Sequence, residues 1–243
     1  LLISSAKGGV GKSTFAVNIA FALQNIGLKI GILDADVYGP SLPKLIDLNQ
    51  KPESKEGKYL IPINKYNAQC MSMGFLVGET TPMIWRGPMV ISAIKTMTEN
   101  VLWKDLDIII IDMPPGTGDT QLTFAQQIKV DGAVIVSTPQ DLALLDVRRG
   151  IEMFDKTNVK IIGLVDNMSF FKGDDGKNYN IFGEDGVEQT AKDYNKKFLG
   201  KIPIHQDIRD ATAKGDPLTH SNPQHEISKL FKNIAEKIKL DIM

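Results

Sequence analysis

A glycine-rich segment near the start of the chain limits the folds that this sequence can adopt. Residues 1–14 read LLISSAKGGVGKST, an apolar run followed by a cluster of glycines and a short polar stretch. The apolar run predicts a buried strand, and the apolar spacing of residues 13–25 predicts a helix. Glycine adopts backbone conformations that other residues avoid, so the cluster predicts a tight strand-to-helix turn. A strand, a turn and a helix in this order indicate an α/β domain.

The same turn has the composition of a phosphate-binding loop. Its glycines allow backbone N–H groups to point at an anion, and the following helix directs its positive amino terminus at the same place. Lys12 is placed to reach the β- and γ-phosphates of ATP, and the hydroxyl of Ser13 is placed to bind Mg²⁺. Ala6 stands where the usual motif has its first glycine. The predicted nucleotide-binding residues are Lys7, Gly8, Gly9, Val10, Gly11, Lys12, Ser13 and Thr14.

Short apolar runs alternate with helical patterns along the rest of the chain, as expected for a parallel sheet covered on both faces. The predicted strands are Leu1–Ser4, Lys29–Asp34, Ala68–Ser72, Leu106–Asp112, Ala133–Ser137, Ile161–Asp166 and Phe198–Ile202. The predicted helices are Ser13–Asn25, Met89–Leu102, Asp119–Ile128, Leu142–Thr157, Asp185–Lys196, Asp207–Lys214 and Pro223–Leu240. Between them, residues 50–66 predict an excursion or short hairpin, and the glycine-rich residues 169–183 predict an exposed loop.

These elements predict one doubly wound α/β domain over residues 1–243. We expect a mostly parallel sheet of about seven strands with helices on both faces. The chain starts without a Met, which leaves room for a further N-terminal domain outside it.

Acidic side chains stand where two of the predicted strands end. In open α/β sheets, ligands bind beyond the carboxyl ends of the strands. Asp112 ends an aliphatic strand, which is the Walker B arrangement, and its carboxylate is predicted to bind Mg²⁺. Asp34 and Asp36 end another strand at alternating positions, so they point to opposite sides of an extended chain. Capping a turn or a helix is the alternative role for both.

Lys7 is a second lysine in the loop, five positions before Lys12. In this position it resembles the deviant Walker A motif of the MinD, ParA and nitrogenase iron-protein class. The resemblance implies that Lys7 reaches across a homodimer to the partner's nucleotide, like an arginine finger supplied in trans. It also implies that Lys7 and Lys12 are both catalytic in an ATPase that holds ATP between two subunits. A solvated loop lysine is the alternative.

A series of short segments is similar to the Mrp/ApbC family of iron–sulfur cluster carrier ATPases. The segments are Asp34–Ser41, Trp85–Met89, Asp112–Asp119, Thr138–Ala143, Asn167–Ser169, Ile181–Gly183 and Asp207–Arg209. The resemblance implies that Asp36 orients the attacking water and that Asp34 supports the magnesium shell. It further implies that Asn167 and the loop around Pro203 contact the adenine base. Arg86 would face the nucleotide or the partner subunit.

The sequence departs from this family where members that carry a cluster have a Cys-x-x-Cys. Residues 170–180 read FFKGDDGKNYN and contain no cysteine. Thiolates are the usual ligands of a 4Fe–4S cluster, whereas Asp174 and Asp175 offer hard oxygens and predict a turn. Cys70, the single cysteine, lies in a predicted strand and is expected to be buried. The resemblance thus implies cluster transfer to apoproteins or assembly factors, although the ligands for a cluster are missing.

Composition and charge restrict the partners further. The chain has 28 Lys and Arg against 29 Asp and Glu, for a net charge of −1. We therefore expect no nucleic acid and no anionic membrane as a partner. The single cysteine and the lack of a membrane-spanning apolar run predict a cytoplasmic protein. His205, His220 and His225 lack the close spacing of a metal site, and none is predicted there.

Two other functions remain open. A positioning ATPase like MinD or ParA would bind a membrane or DNA in its ATP state. Residues 225–243 have a basic amphipathic pattern that can lie on lipid, although packing against a sheet is its commoner use. An ATP-gated assembly scaffold would bind no cluster itself, and the missing Cys-x-x-Cys favours that function.

Overall fold

The structure is a computed structural model that describes residues 1–76 and 87–243. Strands and helices alternate along most of the chain. The strands are β1 (Leu2–Ser4), β2 (Ile30–Asp34), β3 (Ser54–Lys55), β4 (Tyr59–Leu60), β5 (Ile63–Lys65), β6 (Ala68–Ser72), β7 (Ile108–Asp112), β8 (Ala133–Ser137), β9 (Ile161–Lys172), β10 (Asn178–Tyr179) and β11 (Phe198–Ile204). The helices are α1 (Lys12–Asn25), α2 (Leu42–Leu45), α3 (Met73–Leu76), α4 (Gly87–Glu99), α5 (Asp119–Gln127), α6 (Asp141–Lys156), α7 (Gly186–Asp193), α8 (Gln206–Lys214), α9 (Leu218–Ser221) and α10 (Glu226–Ile242).

A mostly parallel sheet forms the centre of the molecule. Within the described residues it has nine strands in the order β10-β9-β8-β1-β7-β2-β6-β5, with β11 also paired to β9. The antiparallel strands β5 and β10 lie at the edges and account for the difference from the expected seven. Neither of these two edge strands contains an apolar run that would mark it in the sequence. The short hairpin predicted within residues 50–66 is present as β3 and β4.

Both faces of the sheet are covered. Every residue of β1, β2 and β8 is buried, and alternate residues of a strand point to opposite faces. Helix α1 packs against α10, and α6 packs against α7. These observations confirm the predicted doubly wound α/β fold.

The apolar stripe of α10 lies in the core. Ile227, Phe231, Ile234 and Ile238 are buried, and the ring centroid of Phe231 lies 5.6 Å from that of Phe15 in α1. This face therefore packs within the molecule and is not presented to a lipid surface. None of the helices in the described ranges combines the length and the apolarity that a bilayer crossing needs.

The predicted loop over residues 169–183 is wrong in its first part. Strand β9 does not end at Asp166 but continues to Lys172. The extension is held by β11, which places Ile204 opposite Phe171, and by β10 on the antiparallel side. Both partners are distant in sequence or too short to recognise, so the local pattern could not show this extension.

Candidate nucleotide-binding site

The carboxyl ends of four strands place the predicted site residues at one edge of the sheet. Strand pairing sets Asp112 beside both Ile3 and Asp34, and Ser72 beside Asp34 on the other side. Because these strands are parallel, the loops that follow them emerge together. The loop after β1 therefore meets the acidic ends of β2 and β7, as Brändén's rule predicts.

The loop between β1 and α1 combines an open side with a packed side. Gly9 and Gly11 have φ values of 83° and 79°, in the left-handed region that favours glycine. A Cβ atom added to Gly8 or Gly9 would meet no atom of the described residues within 4 Å, so this side of the loop is open within the described part of the chain. A Cβ atom added to Gly11 would lie 2.5 Å from Nδ2 of Asn167. The loop is thus anchored against β9 while its other side is free to receive phosphates.

Lys12, Ser13 and Asp112 form a buried polar cluster at the start of α1. The Nζ atom of Lys12 lies 2.5 Å from Oδ1 of Asp112 and donates to Oγ of Ser13 at 3.3 Å. Lys12 is 6% exposed and Asp112 is 4% exposed. Burial raises the pKa of Asp112, and the nearby Lys12 ammonium opposes that rise. A carboxylate and a hydroxyl suit Mg²⁺, and an ammonium suits phosphate, so these residues fit MgATP.

Asp34 is the structural centre of the neighbouring loop. Its Oδ2 accepts hydrogen bonds from the backbone of Ser41 and Leu42 at 2.9 and 3.0 Å, and from Oγ of Ser72 at 3.0 Å. Its Oδ1 accepts from the backbone N–H of Asp36 at 3.2 Å. Burial, with the charge of Asp112, raises the pKa of Asp34 to about 7. These contacts give Asp34 a capping role at α2, and its support of the magnesium shell stays a prediction.

Asp36 also holds a turn, through one oxygen of its carboxylate. Oδ1 accepts from the backbone N–H groups of Tyr38 and Gly39 at 3.1 and 3.2 Å. Asp36 lies close enough to Asp112 that its charge adds to the effect of burial in raising the pKa of Asp112. The carboxylate therefore lies within the same cluster of charges as the predicted magnesium ligand. Its action on the attacking water stays a prediction.

Asn167 and Pro203 lie on the neighbouring strands β9 and β11. Nδ2 of Asn167 donates to the carbonyl of Val10 at 2.8 Å, which ties β9 to the phosphate-binding loop. Pro203 lies inside β11 rather than in a loop, at an irregularity in the pairing where Ile202 faces Asn167. Proline is tolerated in a strand at such a bulge because its missing N–H is not needed there. Contact of either residue with the base stays a prediction.

The remaining predicted residues are Lys7, Thr14 and Arg86. Lys7 and Thr14 are half-buried in and just after the loop. Arg86 lies outside the described residues. Ser72 was not among the predicted site residues, although it ends a predicted strand just as Asp34 does. Gln121 of α5 was not among them either; it is buried and donates to the carbonyl of Pro114 in the loop after β7.

The structure contains no thiolate ligands for a cluster within the described chain. Cys70 is 0% exposed in β6, and burial raises the pKa of its thiol to about 12. The predicted turn is present at the position where the resemblance implied a Cys-x-x-Cys. Asp175 accepts there from the backbone of Lys177 at 3.0 Å and from the hydroxyl of Tyr179 at 2.8 Å. The residues of this chain therefore do not fit a thiolate-bound 4Fe–4S cluster.

Comparison with known proteins agrees with this geometry. The family model described as ParA, NUBPL iron-transfer P-loop NTPase, matches residues 1–239. An Arabidopsis thaliana protein named "Iron-sulfur protein required for NADH dehydrogenase, mitochondrial" is 50% identical to this chain. The match covers 98% of this chain and 77% of the relative's own length. The iron-sulfur cluster carrier protein of Escherichia coli K12 is 45% identical over 98% of this chain and 65% of its own length.

A solved structure extends the likeness to three dimensions. The nucleotide-binding protein of Archaeoglobus fulgidus, in complex with ADP, is 36% identical with a TM-score of 0.77, over 88% of this chain and 85% of that one. The family model, the sequence relatives and this solved structure all indicate the same family. The chain belongs to the ParA family of P-loop NTPases, in its NUBPL iron-transfer group.

Proposed function

We propose that this chain binds MgATP, hydrolyses it as a homodimer, and uses this cycle in the assembly of iron–sulfur clusters or their transfer to apoproteins. One observation carries the nucleotide part of the proposal. Lys12, Ser13 and Asp112 are gathered at the amino terminus of α1, beneath a glycine loop whose outer side is open. This arrangement supplies a cation for the phosphates and hard oxygens for Mg²⁺ in one place.

Each predicted residue has a role in this proposal. Lys12 exchanges its ion pair with Asp112 for the β- and γ-phosphates, which leaves the carboxylate of Asp112 and the hydroxyl of Ser13 to hold Mg²⁺. Asp36 orients the attacking water through its second carboxylate oxygen. Lys7 crosses the dimer and stabilises the charge that develops on the partner's nucleotide. Asn167 holds the base side of the site against the loop.

The iron–sulfur part rests on the family and on the names of the relatives. The relative in Escherichia coli is named an iron-sulfur cluster carrier protein, and the family model describes iron transfer. The partners we propose are apo iron–sulfur proteins or assembly factors, in a reducing compartment such as the cytoplasm, where the free thiol of Cys70 is stable. Residues 1–243 act here as one domain.

The cysteine content favours a second candidate within the same pathway. Cys70 is buried and residues 170–180 contain no thiol, so a cluster held by this chain alone has no ligands. In this candidate, ATP turnover gates the binding of a partner that holds the cluster, and the chain acts as an assembly scaffold. Both candidates share the same ATPase site.

The ATPase proposal is tested by phosphate release from ATP and by binding of a fluorescent ATP analogue. Lys12→Ala should lose nucleotide binding and turnover together, because it removes the phosphate ligand. Lys7→Ala should keep binding and lose about a hundredfold or more of turnover, because its ammonium acts on the partner's nucleotide. Lys229→Ala, which changes an exposed lysine of α10, is the matched control and should match wild type in both measurements.

The two lysine variants test the ATPase site and the mechanism in trans separately. Unchanged turnover in Lys12→Ala would overturn the ATPase site as a whole. Unchanged turnover in Lys7→Ala would leave that site in place and overturn only the mechanism in trans. Light scattering then measures the molar mass with and without ATP. The mechanism in trans requires the mass of a dimer when ATP is bound, because Lys7 of each subunit acts on the nucleotide of the other.

A further inference from the structure

Two of the three histidines meet at a point that the sequence spacing does not suggest. His205 follows β11, and His225 precedes α10, 20 positions further along the chain. Their ring centroids lie 5.3 Å apart in an edge-to-face arrangement. Asp207, in the first turn of α8, lies between them, and its Oδ2 is 2.9 Å from Nε2 of His225 and 3.6 Å from Nδ1 of His205. The sequence spacing predicted no metal site here, whereas the fold brings two of these imidazoles and a carboxylate together.

We propose that His205, Asp207 and His225 form a binding site for a divalent first-row transition-metal ion. One ligand atom from each residue lies within 4.8 Å of the other two. Tetrahedral ligands on a zinc-sized ion are separated by ~3.4 Å, so the side chains need to close in by roughly 1 Å. Asp207 is half exposed and is free to make that adjustment. Glu226 adds another carboxylate, with Oε1 3.8 Å from Nε2 of His205.

The donor set selects the kind of metal. Two imidazoles and one carboxylate suit Zn²⁺, Co²⁺, Ni²⁺ and Fe²⁺, whereas Mg²⁺ prefers oxygen ligands and water. The site thus differs in chemistry from the cluster of Ser13 and Asp112, which offers only oxygens. It is also separate from any thiolate site, because the single cysteine is buried in β6.

Both histidines also cap helices, and a test of metal binding must keep these caps in place. Nδ1 of His205 accepts from the backbone N–H of Asp207, and Nδ1 of His225 accepts from that of Ile227, each at 3.2 Å. They therefore cap α8 and α10 through Nδ1, so each ring has a structural role besides the proposed binding of an ion. Replacement by alanine would remove the cap and the ligand together.

Asparagine separates the two tasks because it is a good helix cap and lacks the distal ring nitrogen. We would titrate untagged full chain with Zn²⁺ by calorimetry, with Mg²⁺ in excess and no nucleotide, and follow Co²⁺ by its visible absorption. Wild type should bind one ion per chain. His205→Asn and His225→Asn should each weaken binding at least about tenfold while keeping the thermal midpoint of wild type.

The third histidine supplies a matched control. His220 stacks on Tyr66 with ring centroids 3.9 Å apart, and its Nδ1 lies 2.8 Å from Asp216 rather than at the cluster. His220→Asn should therefore bind Zn²⁺ with wild-type affinity. The proposal is overturned if wild type binds no Zn²⁺ above the Mg²⁺ background, if His225→Asn binds as tightly as wild type, or if His220→Asn weakens binding as much as the other two.

Discussion

Asp34 and Asp36 are two positions apart in the chain and differ in what their carboxylates hold. Asp34 is 1% exposed and accepts from four donors, three of them backbone N–H groups of the following loop and α2. Asp36 accepts from two backbone N–H groups through one oxygen. The carboxylate of Asp34 therefore uses both oxygens to stabilise the fold, whereas within the described residues the carboxylate of Asp36 uses one.

Alanine at each position should separate stability from turnover. Asp34→Ala leaves buried donors without acceptors and should lower the free energy of unfolding by ~1–3 kcal/mol. Asp36→Ala should lower it by less than ~1 kcal/mol, since it unties only a partly exposed turn, and should abolish ATP hydrolysis. Urea unfolding and phosphate release measure the two effects. The assignment is contradicted if Asp36→Ala retains wild-type turnover.

Asp166 shows the opposite situation, a buried carboxylate that lacks donors. It is 1% exposed, and its Oδ1 has no hydrogen-bond partner among the described residues. Burial raises the pKa of Asp166 to about 7, although the Lys201 ammonium opposes the rise. The folded protein therefore holds this proton more tightly than the unfolded chain does. Its contribution to stability is present below pH ~4 and is lost as the pH rises from ~4 to ~7.

Asp166→Asn should accordingly be more stable than wild type at pH 8, by at most ~4 kcal/mol, and close to it at pH 4. Unfolding in urea at both pH values measures the difference. Asp185→Asn is the matched control, because the hydrogen bond from Lys201 lowers the pKa of Asp185. That variant should gain no stability at pH 8. An equal gain in both variants would show that general charge, rather than burial of Asp166, sets the pH dependence.

At the scale of elements, the unit of β1, the glycine loop and α1 depends on contact with β9. Gly11 has positive φ and precedes α1, and Nδ2 of Asn167 lies where its Cβ would be. Gly11→Ala should cost ~1–3 kcal/mol from strain and overlap together. Gly8→Ala should leave the stability almost unchanged, because its added Cβ meets no atom within 4 Å. Thermal unfolding of the two variants checks this, and equal midpoints would refute the contact.

The elements also show which parts of the fold could be predicted from sequence. Ala68–Ser72 and Ala133–Ser137 have the predicted bounds, because a strand buried on both faces is a continuous apolar run between polar residues. The end of β9 was not predictable, since pairing with β11 and β10 overrides the glycines and aspartates of the local pattern. Local chemistry thus predicts the centre of the sheet, while its edges depend on pairing.

At the scale of the whole molecule, the candidate site was predictable where its residues follow one another or end neighbouring strands. Lys12 and Ser13 are read from one motif, and the parallel topology then brings Asp112 to them. The meeting of His205 with His225 was not predictable, because it depends on how α8 and α10 are placed after β11. Such convergence is a property of the packed molecule and has no signal in the spacing.

The position of the single cysteine determines whether this chain can hold an iron–sulfur cluster through thiolates. A cluster that bridges two subunits needs exposed thiolates near one surface, whereas the single thiol is buried within the sheet with its pKa raised to about 12. After anaerobic incubation with iron and sulfide, wild type and Cys70→Ala should retain equally little bound sulfide and show no stable visible absorption, because iron held at the histidines carries no sulfide. The β9–β10 turn is exposed at Asp174 and Lys177. Asp174→Cys/Lys177→Cys therefore places a Cys-x-x-Cys at this surface and should gain bound iron and sulfide together, relative to wild type. A stoichiometric cluster in wild type would instead mean that ligands other than cysteine hold it.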